Sequence, residues 1–233
     1  MNLTTKRMRA LGLFILSCAL AGCATGAPPQ IPAAKIARSP SVDAPVVVSV
    51  GDSIMKGNGL TTAQAWPVLM AESNGWTSAN LACNGEGFVA PGDPADCNGP
   101  FGVLAPRVAL LHPTTLVISG SSNDFGIDNA TLAAATGVAL KSYREALPKV
   151  QIVALSTVWG DTEPPAQLAD VDEQVREATA DVGGTFINIG QPLAGHPEWL
   201  QPDDVHPTAE GQQKLAAAIS AALSAQHVNL AGP

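Results

Sequence analysis

"VVVSVGDSIMKG", residues 46–57, decides how the rest of the chain is read. Positions 46–50 form a short, unbroken run of β-branched and small residues, as expected of a strand covered on both faces. The run stops at Gly51-Asp52-Ser53, so Ser53 stands just past the carboxyl end of a buried strand. A serine in that place either caps the next helix or acts as a nucleophile at the mouth of a sheet. The second role requires a base, an orienting acid and donors for an oxyanion elsewhere in the chain.

Outward from this stretch, strand-like and helix-like segments alternate. Residues 115–119 ("TLVIS"), 150–155 ("VQIVAL") and 185–189 ("TFINI") have the same apolar character, and 80–83 ("NLAC") is a weaker candidate. Leu168, Val171, Val175, Ala178 and Val182 recur at spacings of three and four, which places them on one helix face ended by Gly183-Gly184. Residues 129–147 read as a helix opened by Asp128 or Asn129 and closed before Pro148. Pro67 suits the first turn of a helix to about residue 72. A last helix over 208–224 turns Leu215, Ile219 and Ala222 inward. This alternation predicts an α/β domain with a mostly parallel sheet and helices on both faces, whose ligands gather at the carboxyl ends of the strands.

The candidate for the base comes from "QPDDVHPTAEG", residues 201–211. Asp203 and His206 are three apart, so the carboxylate can accept the imidazole Nδ1–H and leave Nε2 to face a hydroxyl. Pro207 keeps His206 out of the helical region. Asp204 is a rival for the acid that spacing does not exclude. For the oxyanion, "VISGSSNDFG", residues 117–126, puts Asn123 beyond another strand end. "NLACNGEGFVAPG", residues 80–92, offers Gly85, whose N–H a ligand can approach closely.

In this order, Gly-Asp-Ser, a glycine loop, Asn-Asp and Asp-x-x-His-Pro resemble the SGNH (GDSL-type) hydrolase family over residues 45 to about 224. The resemblance implies a three-layer α/β/α, flavodoxin-like fold with a five-stranded sheet. It also implies Ser53 as nucleophile, His206 as base and Asp203 as its partner. The oxyanion donors it implies are the N–H groups of Ser53 and Gly85 and the side-chain amide of Asn123. No metal or organic cofactor is expected, and His112, His196 and His227 show no metal-ligand spacing. The family's third block usually reads Gly-x-Asn-Asp, whereas this chain has Ser121-Ser122-Asn123-Asp124. A serine at 121 is expected to crowd the turn that aims Asn123. In the second block Gly87 is an alternative to Gly85, which is preferred for its offset from Asn80. The G-x-S-x-G elbow of ordinary α/β-hydrolases is absent.

At the N-terminus, Lys6, Arg7 and Arg9 precede an apolar run from residue 10 to 21, too short for the ~20 residues of a membrane span. The run ends in Leu20-Ala21-Gly22-Cys23, which resembles the lipobox of bacterial lipoproteins and implies a lipid on Cys23. The expected organisation is a signal peptide over 1–22, a lipidated Pro/Ala-rich linker over 23–44, the hydrolase domain over 45–227 and a tail over 228–233. The expected location is the bacterial cell envelope, with the membrane held through that lipid. Without the leader, nine Lys and Arg face twenty Asp and Glu, a formal charge of −11. Such a surface repels phosphate backbones and argues against a nucleic-acid partner.

With Cys18 in the leader and Cys23 lipidated, Cys83 and Cys97 remain as an even pair in an exported chain and are expected to be bridged. The bridge would stabilise the fold by roughly 3 kcal/mol. It would also preorganise the loop carrying Gly85, so reduction should lower turnover more than substrate binding. Trp159 is read as a cleft wall or a loop anchor, and Trp199 as a buttress of the Asp203 loop.

Three functions fit these residues. The first is an esterase acting on carboxylic esters through an acyl-enzyme. The second is an acyltransferase or O-deacetylase on an envelope glycan or glycolipid. The third, disfavoured by the complete triad, is a lipid-anchored binding module.

Overall fold

In the computed structural model, which describes residues 44–232, Val46–Val50 forms β1. The expected leader, Cys23 and all but the last residue of the linker lie outside the described residues. Asp52 then caps the short helix α1, Ser53–Lys56, by accepting the Ile54 N–H at 3.0 Å. Gly57, in the left-handed region at φ 78°, closes α1 by donating to the carbonyls of Ser53 and Ile54. After it come α2 (Trp66–Asn74), β2 (Thr77–Asn80), α3 (Ala105–Ala109) and β3 (Thr115–Ser119). The chain continues through α4 (Asn129–Ala146), β4 (Gln151–Leu155), α5 (Gln167–Asp181), β5 (Thr185–Ile187) and α6 (Ala209–Ala225).

The five strands lie in the order β2-β1-β3-β4-β5, every neighbouring pair parallel. Side chains alternate across this sheet with the period of two that pleating imposes. Val47, Val117, Val153 and Ile187 join Trp66 and Met70 of α2 and Leu215 and Ile219 of α6 on one face. Val48, Leu116, Ile118 and Ile152 join Val108, Leu140, Val171 and Val175 of α3, α4 and α5 on the other. The result is the expected three-layer α/β/α domain. Because β2 lies on one side of β1 and β3 on the other, the winding reverses at β1. A crevice opens at the carboxyl edge at such a reversal, which is where Ser53 stands.

Two expectations shift. The second strand is Thr77–Asn80, three residues earlier than "NLAC" suggests. Leu81 and Cys83 still donate to Ser49 and Gly51, but Asn80 turns the chain by accepting the Ala82 N–H and donating to the Met55 carbonyl. At the other end, Val228, Leu230 and Ala231 pack on the core, so the domain reaches past the boundary expected at 227. No helix of the described residues is long and apolar enough to cross a membrane.

Candidate active site

His206 sits in a turn between a one-turn 3₁₀ segment, Pro197–Trp199, and α6. Asp203 organises that turn by accepting the N–H groups of Val205 and His206 at 3.1 and 3.0 Å on one carboxylate oxygen. Its other oxygen lies 2.7 Å from His206 Nδ1. The His206 side chain and these N–H groups hold the Asp203 carboxyl down at about 2, so it is ionised at any ordinary pH. An ionised acceptor places the ring proton on Nδ1 and leaves Nε2 its lone pair. Asp204, at φ 57°, makes no hydrogen bond to His206, so Asp203 is the carboxylate on the ring.

Nε2 faces the loop that follows α1, 3.4 Å from Asn58 Nδ2. That loop is tied to the histidine turn from both sides, because Gln201 Nε2 donates to the carbonyls of Asn58 and Pro207 at 2.7 and 2.9 Å. Ser53 begins α1 and is 9% exposed. Among the described residues its hydroxyl and its N–H have no hydrogen-bond partner, and Nε2 is turned to Asn58 instead. A contact of 3.4 Å is long for a hydrogen bond.

Gln212 was missed by sequence reasoning. It is fully buried in the first turns of α6, accepts the Trp66 N–H at 2.9 Å and donates to the Ile54 carbonyl at 2.8 Å. One amide thus ties the helix after His206 to the helix that begins with Ser53. A signal existed: Gln212 shares the inward register of Leu215 and Ile219, a polar residue where the pattern calls for an apolar one.

In the glycine loop, Gly85 and Gly87 stand in different surroundings. The Gly87 N–H donates to the Ala90 carbonyl, and a Cβ there would lie 2.5 Å from the Asp124 carboxylate. Gly87 is glycine to admit Asp124, which accepts the N–H groups of Phe88, Val89 and Ala90 at 2.6, 3.0 and 2.9 Å. Gly85, at φ 72°, has an N–H without an acceptor among the described residues. The loop is stapled by the Cys83–Cys97 disulfide, with Cα atoms 5.8 Å apart. Asn123 Nδ2 donates to the Glu86 carbonyl and to Ser121 Oγ, at 3.1 and 3.0 Å. The expected crowding by Ser121 does not occur, because its hydroxyl is taken into this network.

Beside Ser53 a cleft of about 260 Å³ is walled by Ile54, Ser122, Val158, Trp159, Asp204 and Val205. The lining includes Ile54, Ser122 and Val205, the sequence neighbours of Ser53, Asn123 and His206. Trp159 lines this cleft and also meets Phe125 at 6.2 Å between ring centroids. Trp199 packs behind the histidine turn, stacked on His196 and accepting the Thr208 N–H on its carbonyl. The one group of three possible metal ligands among the described residues is Cys83, Glu86 and Cys97, whose sulfurs are both committed to the disulfide.

Glu86 is the oddity of the site: 0% exposed, with no hydrogen-bond partner for either carboxylate oxygen. Burial, with the nearby Asp52 charge second, pushes its carboxyl up to about 7. Between the ordinary glutamate value and that point the unfolded chain releases a proton the folded one keeps. Stability is therefore lost as pH rises through this window and levels off above it. Glu86→Gln should raise Tm at pH 8, by at most about 3 kcal/mol of stability and less where solvent screens the charge. At pH 4 it should change Tm little. Equal gains at both pH values in thermal melts would refute this account.

A sequence profile of the GDSL-like Lipase/Acylhydrolase family matches residues 49–214. The chain is 27% identical over 199 residues to a GDSL lipase of Mycobacterium tuberculosis, covering 79% of this chain and 83% of the relative. Among solved structures, the fold is similar to a salicylyl-acyltransferase, SsfX3, from a tetracycline biosynthetic pathway, with a TM-score of 0.64 and 21% identity. That match covers 81% of this chain but only 56% of the acyltransferase, so the chain spans about half of its length. It is also similar to the psychrotrophic esterase EstA of Pseudoalteromonas, solved inhibited by monoethylphosphonate, with a TM-score of 0.63 and 17% identity. This second match covers 79% of the chain and 99% of EstA.

Proposed function

The chain belongs to the GDSL-like Lipase/Acylhydrolase family, and from that membership we propose that Ser53, His206 and Asp203 are the catalytic triad of an exported esterase for neutral carboxylic esters. As a serine ester hydrolase it needs a general base, and the 2.7 Å contact from His206 Nδ1 to Asp203 is the observation that carries the assignment. Ser53 Oγ adds to the ester carbonyl carbon while Nε2, released from its long contact with Asn58, takes the hydroxyl proton. The tetrahedral oxyanion meets the N–H groups of Ser53 and Gly85 and the Asn123 amide. When it collapses, the bond to the alcohol breaks, His206 returns the proton to the alcohol oxygen, and the acyl group stays on Ser53. Water repeats the sequence and frees the acid.

The cleft supports a moderate apolar substituent. Its volume of about 260 Å³ and the apolar side chains of Ile54, Val158, Trp159 and Val205 on its walls fit such a group. Asp161 and Asp204 on its walls disfavour anionic substrates. The leader-like N-terminus and Cys23 support export and a lipid anchor in the bacterial envelope.

An organophosphonate probe followed by peptide mapping, alongside nitrophenyl esters of rising acyl length, tests this reading. Labelling at Ser53 and a preference for short to medium acyl chains are expected. Labelling at another residue, or none in folded protein, would overturn the triad. Hydrolysis confined to acetyl esters would replace the esterase reading by the deacetylase one, and transfer to a sugar hydroxyl faster than hydrolysis would replace it by the acyltransferase.

A further inference from the structure

The side-chain hydroxyl of Ser121, in the place where the family usually has glycine, lies at the centre of a buried network. Ser121 is 0% exposed, and its Oγ lies 3.0 Å from Asp52 Oδ2 and 2.9 Å from the Glu86 carbonyl oxygen. It also accepts the Asn123 backbone N–H at 3.2 Å. Asn123 Nδ2, Ser121 Oγ and the Glu86 oxygen form a nearly equilateral triangle with sides of 3.0, 2.9 and 3.1 Å. Seen from Nδ2, the two acceptors therefore stand roughly 60° apart, half the roughly 120° between the N–H bonds of a planar amide. One N–H directed between them lies about 30° off the line to each and can serve both. In that arrangement the other N–H points away from them, on a residue that is itself exposed, and has no acceptor among the described residues.

The proton of Ser121 has its strongest acceptor in the Asp52 carboxylate when that group is ionised. Asp52 in turn caps α1 through the Ile54 N–H, and α1 begins with Ser53. We propose that Ser121 is a positioning residue for the oxyanion site: its hydroxyl holds one N–H of Asn123 so that the other is presented to substrate, and it joins that amide to the Asp52 cap beneath the nucleophile. Glycine in the same place offers no side-chain acceptor, so a chain with glycine must hold its asparagine by other means. The role depends on the assignment of Asn123 as an oxyanion donor.

The test is a double-mutant cycle in kcat with a nitrophenyl ester, on Ser121→Ala, Asn123→Ala and the pair, with Ser121→Gly as a second variant and thermal melts to verify folding. Asn123→Ala should lower kcat about 10²- to 10³-fold. Ser121→Ala and Ser121→Gly should each lower kcat about 10- to 100-fold with KM within about a factor of two. In the Asn123→Ala background the same changes should cost less than about threefold, because the group being positioned is gone. Full turnover in both Ser121 variants, or an equal loss with and without Asn123, would overturn the positioning role while leaving the triad intact. If instead Ser53→Ala keeps its activity, the reading of the site itself falls.

Discussion

Ser53→Ala should lose roughly 10⁶ in kcat, the scale on which removal of a nucleophile collapses other serine triads. The physical reason is that alanine offers no oxygen to form the acyl-enzyme, so neither the imidazole nor the oxyanion donors have a reaction to assist. The fold should survive, because Ser53 Oγ makes no hydrogen bond among the described residues and the cap of α1 comes from Asp52. Steady-state rates on a nitrophenyl ester, with circular dichroism as the control, make the measurement. The comparison with Asn123→Ala decides most. An oxyanion donor should cost only about 10² to 10³, so equal and small losses from the two variants would mean that the chemistry is elsewhere.

Asp203→Asn should lower kcat by about 10⁴ with a properly folded protein. An amide can place its carbonyl oxygen or its NH₂ against Nδ1. In the second arrangement the ring proton moves to Nε2, and the nitrogen that should accept from Ser53 becomes a donor. Two further contacts sharpen the expectation, since Asp203 also accepts the N–H groups of Val205 and His206 and so shapes the turn. With Asp203 held near 2, its support of that turn is lost only as pH falls towards that value, and at higher pH it stays a charged acceptor. Asp204→Asn is the comparison: Asp204 lines the cleft, so KM can move, but with no hydrogen bond to the ring it should lower kcat far less than Asp203→Asn does. If the two variants lose activity alike, Asp203 is not the partner of His206.

Much of this architecture was legible in the residues. The apolar runs that become β1 and β3 read as strands at their observed bounds. The spacing of Leu168, Val171 and Val175 placed α5 with the correct inward face. Such elements are readable because a strand between two helical layers must be apolar on both faces, and an amphipathic helix must repeat every three to four residues. The short helices α1 and α3, of four and five residues, carry too few turns for a period to show. The position of β2 was misread for a related reason. "TSAN" is polar and half-buried at the sheet's edge, and it becomes a strand only because β1 offers it a ladder.

For the site, local chemistry was enough wherever partners are close in sequence. Asp203 and His206 are three residues apart, and the carboxylate reaches the ring and the intervening backbone without help from the rest of the chain. The sequence alone therefore determined the α/β class, the family resemblance, the candidate nucleophile and the acid–base pair. Only the tertiary structure decided which residues join them: Gln212 tying α6 to α1, Asp124 gripping the loop of Gly87, and Ser121 linking Asn123 to Asp52. Each of those contacts spans more than thirty residues, and a hydrogen bond depends on distances of a few tenths of an ångström that no spacing along the chain encodes. The cleft beside Ser53 is of the same kind, since its walls come from loops after different strands and exist only once the sheet has brought those loops together.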